Sequence, residues 1–95
     1  MNPMLQEKEF LVVNALGLHA RAAAQLVKTA NKFACDVTVS KDGQNVNGKS
    51  IMGVLMLAAT CGSTITVKTD GDDAGSAMDA IGKLVEDGFG EGKAP

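Results

Sequence analysis

The chain has 95 residues, a formal net charge of −2 and 45% hydrophobic residues, with no Trp or Tyr. A chain of this length forms one domain and buries roughly 60 to 65 per cent of its unfolded surface. The charge argues against non-specific nucleic-acid binding, which needs clustered cations. There is no signal-peptide pattern and no apolar stretch near the ~20 residues of a membrane span. We therefore expect one cytoplasmic domain, residues 1–95, that binds neither nucleic acid nor membrane.

Charge and cysteines are unevenly placed. Residues 1–69 carry +3 and residues 70–95 carry −5, so Arg21 shares the cationic part of the chain with most of the lysines. Cys35 and Cys61 lack the Cys-x-x-Cys spacing of metal and redox sites. We expect both thiols to be buried as small hydrophobic groups, with no metal and no cofactor.

The first elements are a strand and an amphipathic helix. Residues 7–13 end in a β-prone apolar run and are bounded by Asn14 and Gly17, which predicts a strand followed by a loop. From Ala20 to Phe33, apolar residues recur at the spacing i, i+3, i+4, i+7 of a helix with one buried face. The apolar positions of this first helix are Ala23, Leu26, Val27 and Ala30.

A hairpin and a short helix are predicted next. Val37 and Val39 alternate with polar residues, and Asp42-Gly43 is typical of a tight hairpin turn, so residues 44–47 form the returning strand. Residues 50–59 carry helical spacing, with Gly62 placed to end the helix.

The last elements are a strand over residues 64–70 and a helix from Ala74 towards Phe89. The order β-α-β-β-α-β-α predicts an α+β fold, a four-stranded antiparallel sheet covered on one face by three helices. We expect an ordered core over about residues 7–89. The glycines and proline after it predict a short flexible C-terminal tail.

The only histidine, His19, lies between the first strand and the first helix. Imidazole has an ordinary pKa of roughly 6.5, so it offers a neutral nucleophilic nitrogen near neutral pH. If the helix begins at Ala20, His19 occupies the N-cap, where Ser, Thr, Asp or Asn is usual. The amides of Ala20, Arg21 and Ala22 would then form a site for an anion such as a phosphoryl group.

Arg21 strengthens this interpretation. Its planar donor fork suits phosphate oxygens. A cation in the first helical turn opposes the helix dipole, so its placement indicates a requirement other than stability. The residues alone also permit a surface loop that happens to contain one His and one Arg.

Three segments resemble the HPr family, the histidine-containing phosphocarriers of the phosphoenolpyruvate-dependent sugar phosphotransferase system. The run Gly17-Leu18-His19-Ala20-Arg21 looks like the family's active-site signature. Residues 48–55 resemble the segment that bears a regulatory serine, and residues 62–67 resemble the strand after it. The resemblance spans roughly residues 7–88 and implies the HPr open-faced β-sandwich.

The resemblance implies a phosphoryl carrier, not an enzyme, that works as a monomer without a cofactor. His19 would accept a phosphoryl group from enzyme I and pass it to IIA domains of sugar permeases, with Arg21 steadying the phosphoryl oxygens. The backbone of Ala20 and Arg21 would bind phosphate. Ile51, Met52 and Leu55 would form the docking patch for partners.

One residue departs from the family pattern. Proline usually follows the arginine, where this chain has Ala22. Proline fixes φ at a helix start and removes an amide that is unpaired there anyway. We expect Ala22→Pro to be tolerated and modestly stabilising.

Residues 43–50 match the nucleotide-binding pattern G-x-x-x-x-G-K-[ST] letter for letter. The Asp42-Gly43 turn makes residues 44–47 a strand, however, and only 45 residues follow Ser50, too few for a parallel nucleotide-binding sheet. We expect Ser50 to be an N-cap instead, although Gly53 cannot complete a capping box.

The resemblance also implies that Ser50 is a substrate of HPr kinase/phosphorylase. A phosphate there would add about 1.5 to 2 negative charges at a helix start and alter docking of enzyme I.

The sequence leaves two alternatives open. One is an HPr-like regulatory module of a nitrogen-linked or carbon-catabolite branch, which needs Ser50 but not His19. A small nucleotide-binding protein is the more distant alternative, since it rests on the loop pattern alone. Retention of both His19 and Arg21 favours the carrier.

Overall fold

The computed structural model describes residues 4–95 and has the element order predicted from the sequence. In chain order its strands and helices are β1 (Leu5–Leu11), α1 (Ala20–Ala30), β2 (Asp36–Lys41), β3 (Gln44–Asn47), α2 (Ile51–Met56), β4 (Thr64–Asp70) and α3 (Ala74–Glu86), followed by a 3-10 turn, Gly88–Gly90. The α+β prediction is confirmed.

The four strands form one antiparallel sheet in the order β1-β4-β2-β3. Central strand β4 alternates strictly: Ile65, Val67 and Thr69 are buried, whereas the residues between them point to the open face. Because successive side chains of a strand point to opposite faces, one face of the sheet packs on the helices and the other stays polar.

The core lies between this sheet face and helices α1 and α3. It is mainly aliphatic, with Leu26 of α1 and Ile81 of α3 fully buried. Two of the three phenylalanines, Phe10 and Phe89, are buried in it as well. Phe89 follows α3, so its burial ties the chain beyond the last helix to the domain.

The hairpin turn is formed as predicted. Lys41 pairs with Gln44, which leaves Asp42 and Gly43 as a two-residue loop. Their φ angles are +51° and +82°. Positive φ at both loop residues is required by the type I′ turn that matches the twist of the strands, and this explains the Asp-Gly pair.

Helix α2 is shorter than predicted, because it ends at Met56 and not near Gly62. The amides of Leu57 and Ala58 bond three residues back, to the carbonyls of Val54 and Leu55, which tightens the last turn. Ala58 then adopts φ +49° and turns the chain out of the helix. The prediction that Gly62 ends the helix is wrong.

The segment after α3 folds back along the loop that follows β1. Ala94 donates its amide to the carbonyl of Val13 at 2.6 Å. Glu91 contacts side chains of the same loop region, including His19. The sequence-based expectation of a flexible tail did not anticipate these contacts. They bring residues from opposite ends of the chain to one place.

Candidate phosphoryl-acceptor site

His19 caps the first helix, as the sequence indicates. Its backbone is extended, with φ −72° and ψ 177°, and its carbonyl accepts the amide of Ala23 at 2.8 Å. The ring Nδ1 accepts the amide of Arg21 at 3.3 Å. The imidazole thus replaces the hydroxyl or carboxylate that usually caps a helix, and it remains 28% exposed.

The loop before His19 is fixed by backbone contacts with the segment after α2. Leu18 donates its amide to the carbonyl of Ala59 at 2.9 Å. Gly17 has φ +63°, and a Cβ there would overlap the Ala59 carbonyl oxygen and lie 2.9 Å from Thr60 Cα. Only glycine combines this φ angle with so close a backbone approach.

The second ring nitrogen of His19 contacts a carboxylate from the end of the chain. His19 Nε2 lies against Glu91 Oε2. Glu91 Oε1 accepts from Asn14 Nδ2 at 2.9 Å, and Asn14 Nδ2 also donates to the carbonyl of Gly17 at 2.9 Å. Hydrogen bonds from Asn14 and then from His19 hold the pKa of Glu91 below its ordinary value.

Neither Asn14 nor Glu91 was predicted as a site residue. Asn14 was assigned only as the boundary of a strand, and Glu91 fell in the predicted tail. Asn14 is fully buried, however, and its Nδ2 finds two acceptors, whereas its Oδ1 has no hydrogen-bond partner within residues 4–95. Glu91 lies 72 residues from His19, so no local spacing reveals the contact.

Arg21 is exposed beside the imidazole. Within residues 4–95 its guanidinium forms no ion pair with a carboxylate. Its charge is near enough to contribute to the lowered pKa of Glu91. The side chain therefore keeps its donor fork available for an anion at the start of α1.

The predicted phosphate-binding backbone, Ala20 and Arg21, forms the first turn of α1. The Arg21 amide points to the ring Nδ1 of His19. An anion bonded to Nδ1 would consequently lie beside the first-turn amides, at the positive end of the helix dipole.

Ser50 caps the second helix in the ordinary way. Its Oγ accepts the amide of Gly53 at 3.1 Å, and its carbonyl accepts the amide of Val54 at 3.0 Å. The serine is half-buried. The predicted N-cap role is confirmed, and Gly53 indeed provides no reciprocal side chain.

The nucleotide-loop pattern does not form a phosphate cradle. Residues Gln44–Asn47 are strand β3, paired with β2. Gly48 donates its amide to the carbonyl of Val37 at 2.7 Å, and Lys49 Nζ donates to the carbonyl of Phe33 at 2.7 Å. The segment that would enclose phosphates is an extended strand, and the lysine is engaged by a backbone carbonyl.

Comparison with known proteins identifies the family. The family profile described as "PTS HPr component phosphorylation site" matches residues 6–87. The phosphocarrier protein HPr of Cupriavidus necator is 51% identical over 90 residues, covering 95% of this chain and all of that protein. The chain belongs to the HPr family. HPr proteins are phosphocarriers of the phosphotransferase system.

Solved HPr structures share the fold. HPr-C-His from Thermoanaerobacter tengcongensis superimposes with a TM-score of 0.88 at 42% identity, over 90% of this chain and 97% of that one. A structure described as an HPr dimer from the same organism gives a TM-score of 0.74 at 43% identity, covering 86% and 94%. The open-faced sandwich implied by the resemblance is therefore confirmed.

The three residues predicted to form an HPr docking patch differ in exposure. Met52 is 70% exposed and Ile51 44% exposed, whereas Leu55 is half-buried and packs against the core. Met56, which was not predicted, is 67% exposed on the same short helix, and Leu16 in the loop before His19 is 68% exposed. The apolar surface of α2 thus lies at Ile51, Met52 and Met56.

The two cysteines occupy different environments in this HPr chain. Cys35 is buried as predicted, and burial, followed by the neighbouring Asp73 carboxylate, raises the pKa of its thiol. Cys61 is exposed, so the prediction of burial is wrong for it. It lies in the turn closed by the bond from the Ser63 amide to the Thr60 carbonyl, where side chains face solvent.

Neither a membrane-spanning helix nor a cluster of metal ligands is present within residues 4–95. No helix in this range is long and apolar enough to cross a membrane. No three His, Cys, Asp or Glu side chains in it gather as ligands of a metal ion.

Proposed function

We propose that His19 accepts a phosphoryl group from phosphorylated enzyme I and passes it to IIA domains of sugar permeases. The observation that carries this proposal is the imidazole at the start of α1, with Nδ1 directed to the first-turn amide and Arg21 beside it. Membership of the HPr family supports the same role. The protein works in the cytoplasm as a carrier, with no turnover of its own and no cofactor.

The transfer is an in-line displacement at phosphorus. The lone pair of the His19 Nδ1 forms the new N–P bond, and the donor's leaving group takes the electron pair of the broken bond. Arg21 binds the phosphoryl oxygens bidentately, and the amides of Ala20 and Arg21 add positive potential. A helix terminus contributes about 0.3 to 2 kcal/mol, so the phosphoryl group is held without being trapped.

Partners dock on the apolar surface of α2. Ile51, Met52 and Met56 are exposed on this helix, whereas Leu55 is partly buried and packs against the core. Exposed methionines adapt to more than one partner because their side chains are unbranched and flexible. This property suits a carrier that contacts both a donor and several acceptors.

Ser50 is proposed as a regulatory site, phosphorylated by HPr kinase/phosphorylase. The hydroxyl sits at the start of α2, next to Ile51, and accepts the amide of Gly53. A phosphate there would keep a favourable contact with the helix start while placing about 1.5 to 2 negative charges beside the docking surface. Incubation with the kinase, scored by intact mass for wild type and Ser50→Ala, tests this proposal.

A monomer is the proposed state in solution. A similar structure is described as a dimer, so light scattering after size exclusion is the direct measurement. A mass near 9.8 kDa supports the monomer, and a mass twice as large contradicts it.

The carrier role is tested by incubating the protein with enzyme I and phosphoenolpyruvate. We expect one added phosphate by intact mass, lost on acid treatment, and absent from His19→Ala. Ser50→Ala is the matched control, since it alters the other capping residue and should still be labelled. An unlabelled wild type would contradict the proposal and would leave the regulatory module as the better reading.

A further inference from the structure

The last residues of the chain complete the surroundings of the imidazole. Glu91 lies beyond α3 and contacts His19 Nε2 with one carboxylate oxygen. The two side chains are only 28% and 26% exposed. The contact therefore lies at the protein surface, with most of each side chain covered by neighbouring residues.

The partners of the two ring nitrogens select one tautomer. A neutral imidazole has one N–H donor and one lone-pair acceptor. The Arg21 amide can only donate, so Nδ1 must accept from it. The ionised Glu91 carboxylate can only accept, so Nε2 must carry the hydrogen.

We propose that Glu91 is a positioning residue, which holds His19 as the Nε2–H tautomer with the Nδ1 lone pair facing the start of α1. The inference rests on the proposed role of His19 as the phosphoryl acceptor. Glu91 does not touch the phosphoryl group and acts only through the imidazole.

The interaction with Glu91 strengthens during transfer. The Nδ1 lone pair forms the new N–P bond, the bond between phosphorus and the donor's leaving group breaks, and its electron pair leaves with the donor. Nε2 keeps its hydrogen throughout, so the ring of the phosphorylated His19 becomes cationic. A carboxylate already bonded to Nε2–H meets this developing charge without reorganisation.

Asn14 keeps Glu91 in place. Its fully buried amide uses Nδ2 to bond both the Glu91 Oε1 and the carbonyl of Gly17, which lies two residues before His19. The same amide makes the largest contribution to the lowered pKa of Glu91, so the carboxylate stays ionised near neutral pH. The bond from Ala94 to Val13 anchors the backbone on the other side.

The test compares Glu91→Gln and Glu91→Ala with wild type, using Glu86→Gln as the control. Glu86 is also an exposed glutamate of the C-terminal region, and none of the structure's hydrogen bonds or ion pairs joins it to His19. A glutamine at position 91 can donate as well as accept, so it no longer selects one tautomer.

The readout is the pair of ¹⁵N chemical shifts of the His19 ring, recorded at about pH 9, where an ordinary imidazole is neutral. We expect the ratio of Nε2–H to Nδ1–H tautomers to fall about two- to fivefold in Glu91→Gln, as for a partly exposed charged pair. The rate of labelling by enzyme I should fall by a similar factor. Glu86→Gln should match wild type in both measurements.

The proposal fails if the tautomer ratio of Glu91→Gln equals that of wild type, or if the ratio falls while the labelling rate does not. Melting curves of each variant check that the fold is intact. The proposed function fails separately, through an unlabelled wild type, and the tautomer measurement does not depend on that result.

Discussion

Helices α1 and α2 both begin at a capping side chain, but only the cap of α1 has a further partner from a distant part of the chain. Each has an N-cap side chain that accepts an amide of the first turn: Nδ1 of His19 from Arg21 at 3.3 Å, and Oγ of Ser50 from Gly53 at 3.1 Å. The second nitrogen of His19 is also bound by Glu91, 72 residues away. The cap of Ser50 is complete within three residues.

The geometry of one helix start is set by adjacent residues, and that of the other depends on residues distant in the chain. A hydroxyl cap needs only its own helix, so its geometry follows from a few adjacent residues. A capping imidazole has two nitrogens, and the tautomer it adopts depends on what the rest of the fold places against the second one. The start of α1 is therefore a product of tertiary structure, and the start of α2 is local.

The largest expected effect is on the free energy of unfolding, and it should differ between the glycines near the two helix starts. Gly17→Ala should destabilise the protein by at least about 3 kcal/mol, because a side chain at positive φ costs roughly 1 to 2 kcal/mol and its Cβ would overlap the backbone of Ala59. Gly53→Ala should change stability by no more than about 1 kcal/mol, since its Cβ meets neighbours at 3.4 Å. Urea denaturation of both variants measures the contrast, and similar losses would contradict it.

Removing the local cap should have a smaller effect. Ser50→Ala should lower the free energy of unfolding by about 1 kcal/mol, the ordinary contribution of a serine N-cap. Ser50→Asp serves as the control, because aspartate also caps helices and adds a favourable charge at the helix start. A fully stable Ser50→Ala protein would show that α2 does not depend on its cap.

A change of smaller size and opposite sign, a gain in stability, is expected from proline in the first turn of α1. Ala22→Pro should raise the free energy of unfolding by about 0.4 to 1 kcal/mol, because proline restricts the unfolded chain. Ala22 is the third residue of the helix, where an amide lacks an intrahelical partner.

Ala24→Pro is the matched control, since position 24 lies inside the hydrogen-bond ladder and should lose about 3 kcal/mol. A lower melting temperature for Ala22→Pro, together with loss of labelling by enzyme I, would contradict the prediction. The fully buried position of Ala22 would then be the reason.

The smallest expected effect is the contribution of Glu91 to stability, which depends on pH. The pKa of Glu91 is lowered in the folded protein, so its contribution to stability is present above the ordinary glutamate pKa and is lost as pH falls through the lowered value. Wild type should exceed Glu91→Gln in stability at about pH 7, and the difference should be smaller at about pH 3, below the ordinary glutamate pKa.

The difference between wild type and Ser50→Ala should not change over the same range, because a serine hydroxyl does not titrate. Denaturant melts of the three proteins at both pH values provide the measurement. A pH-independent difference for Glu91→Gln would show that its carboxylate does not act through its charge.

The periodic elements were readable from sequence because their signals are short-range. Alternation in β4, helical spacing in α1 and the Asp42-Gly43 turn each involve residues within a few positions of one another. The end of α2 was misplaced since no glycine or proline marks it. Ala58 takes positive φ there, and the next residue, Ala59, accepts the amide of Leu18 in the loop before His19.

By itself the sequence determined the order of the elements, the position of His19 and Ser50 at two helix starts, and the exclusion of a nucleotide loop by its own turn residues. Only the tertiary structure decided that Asn14 is buried, that Cys61 is exposed and that Glu91 meets the imidazole. The physical reason is the distance along the chain over which each interaction acts. Periodicity and turn chemistry act between neighbours in the chain, whereas the second partner of an imidazole is supplied by whatever the closed fold brings to it.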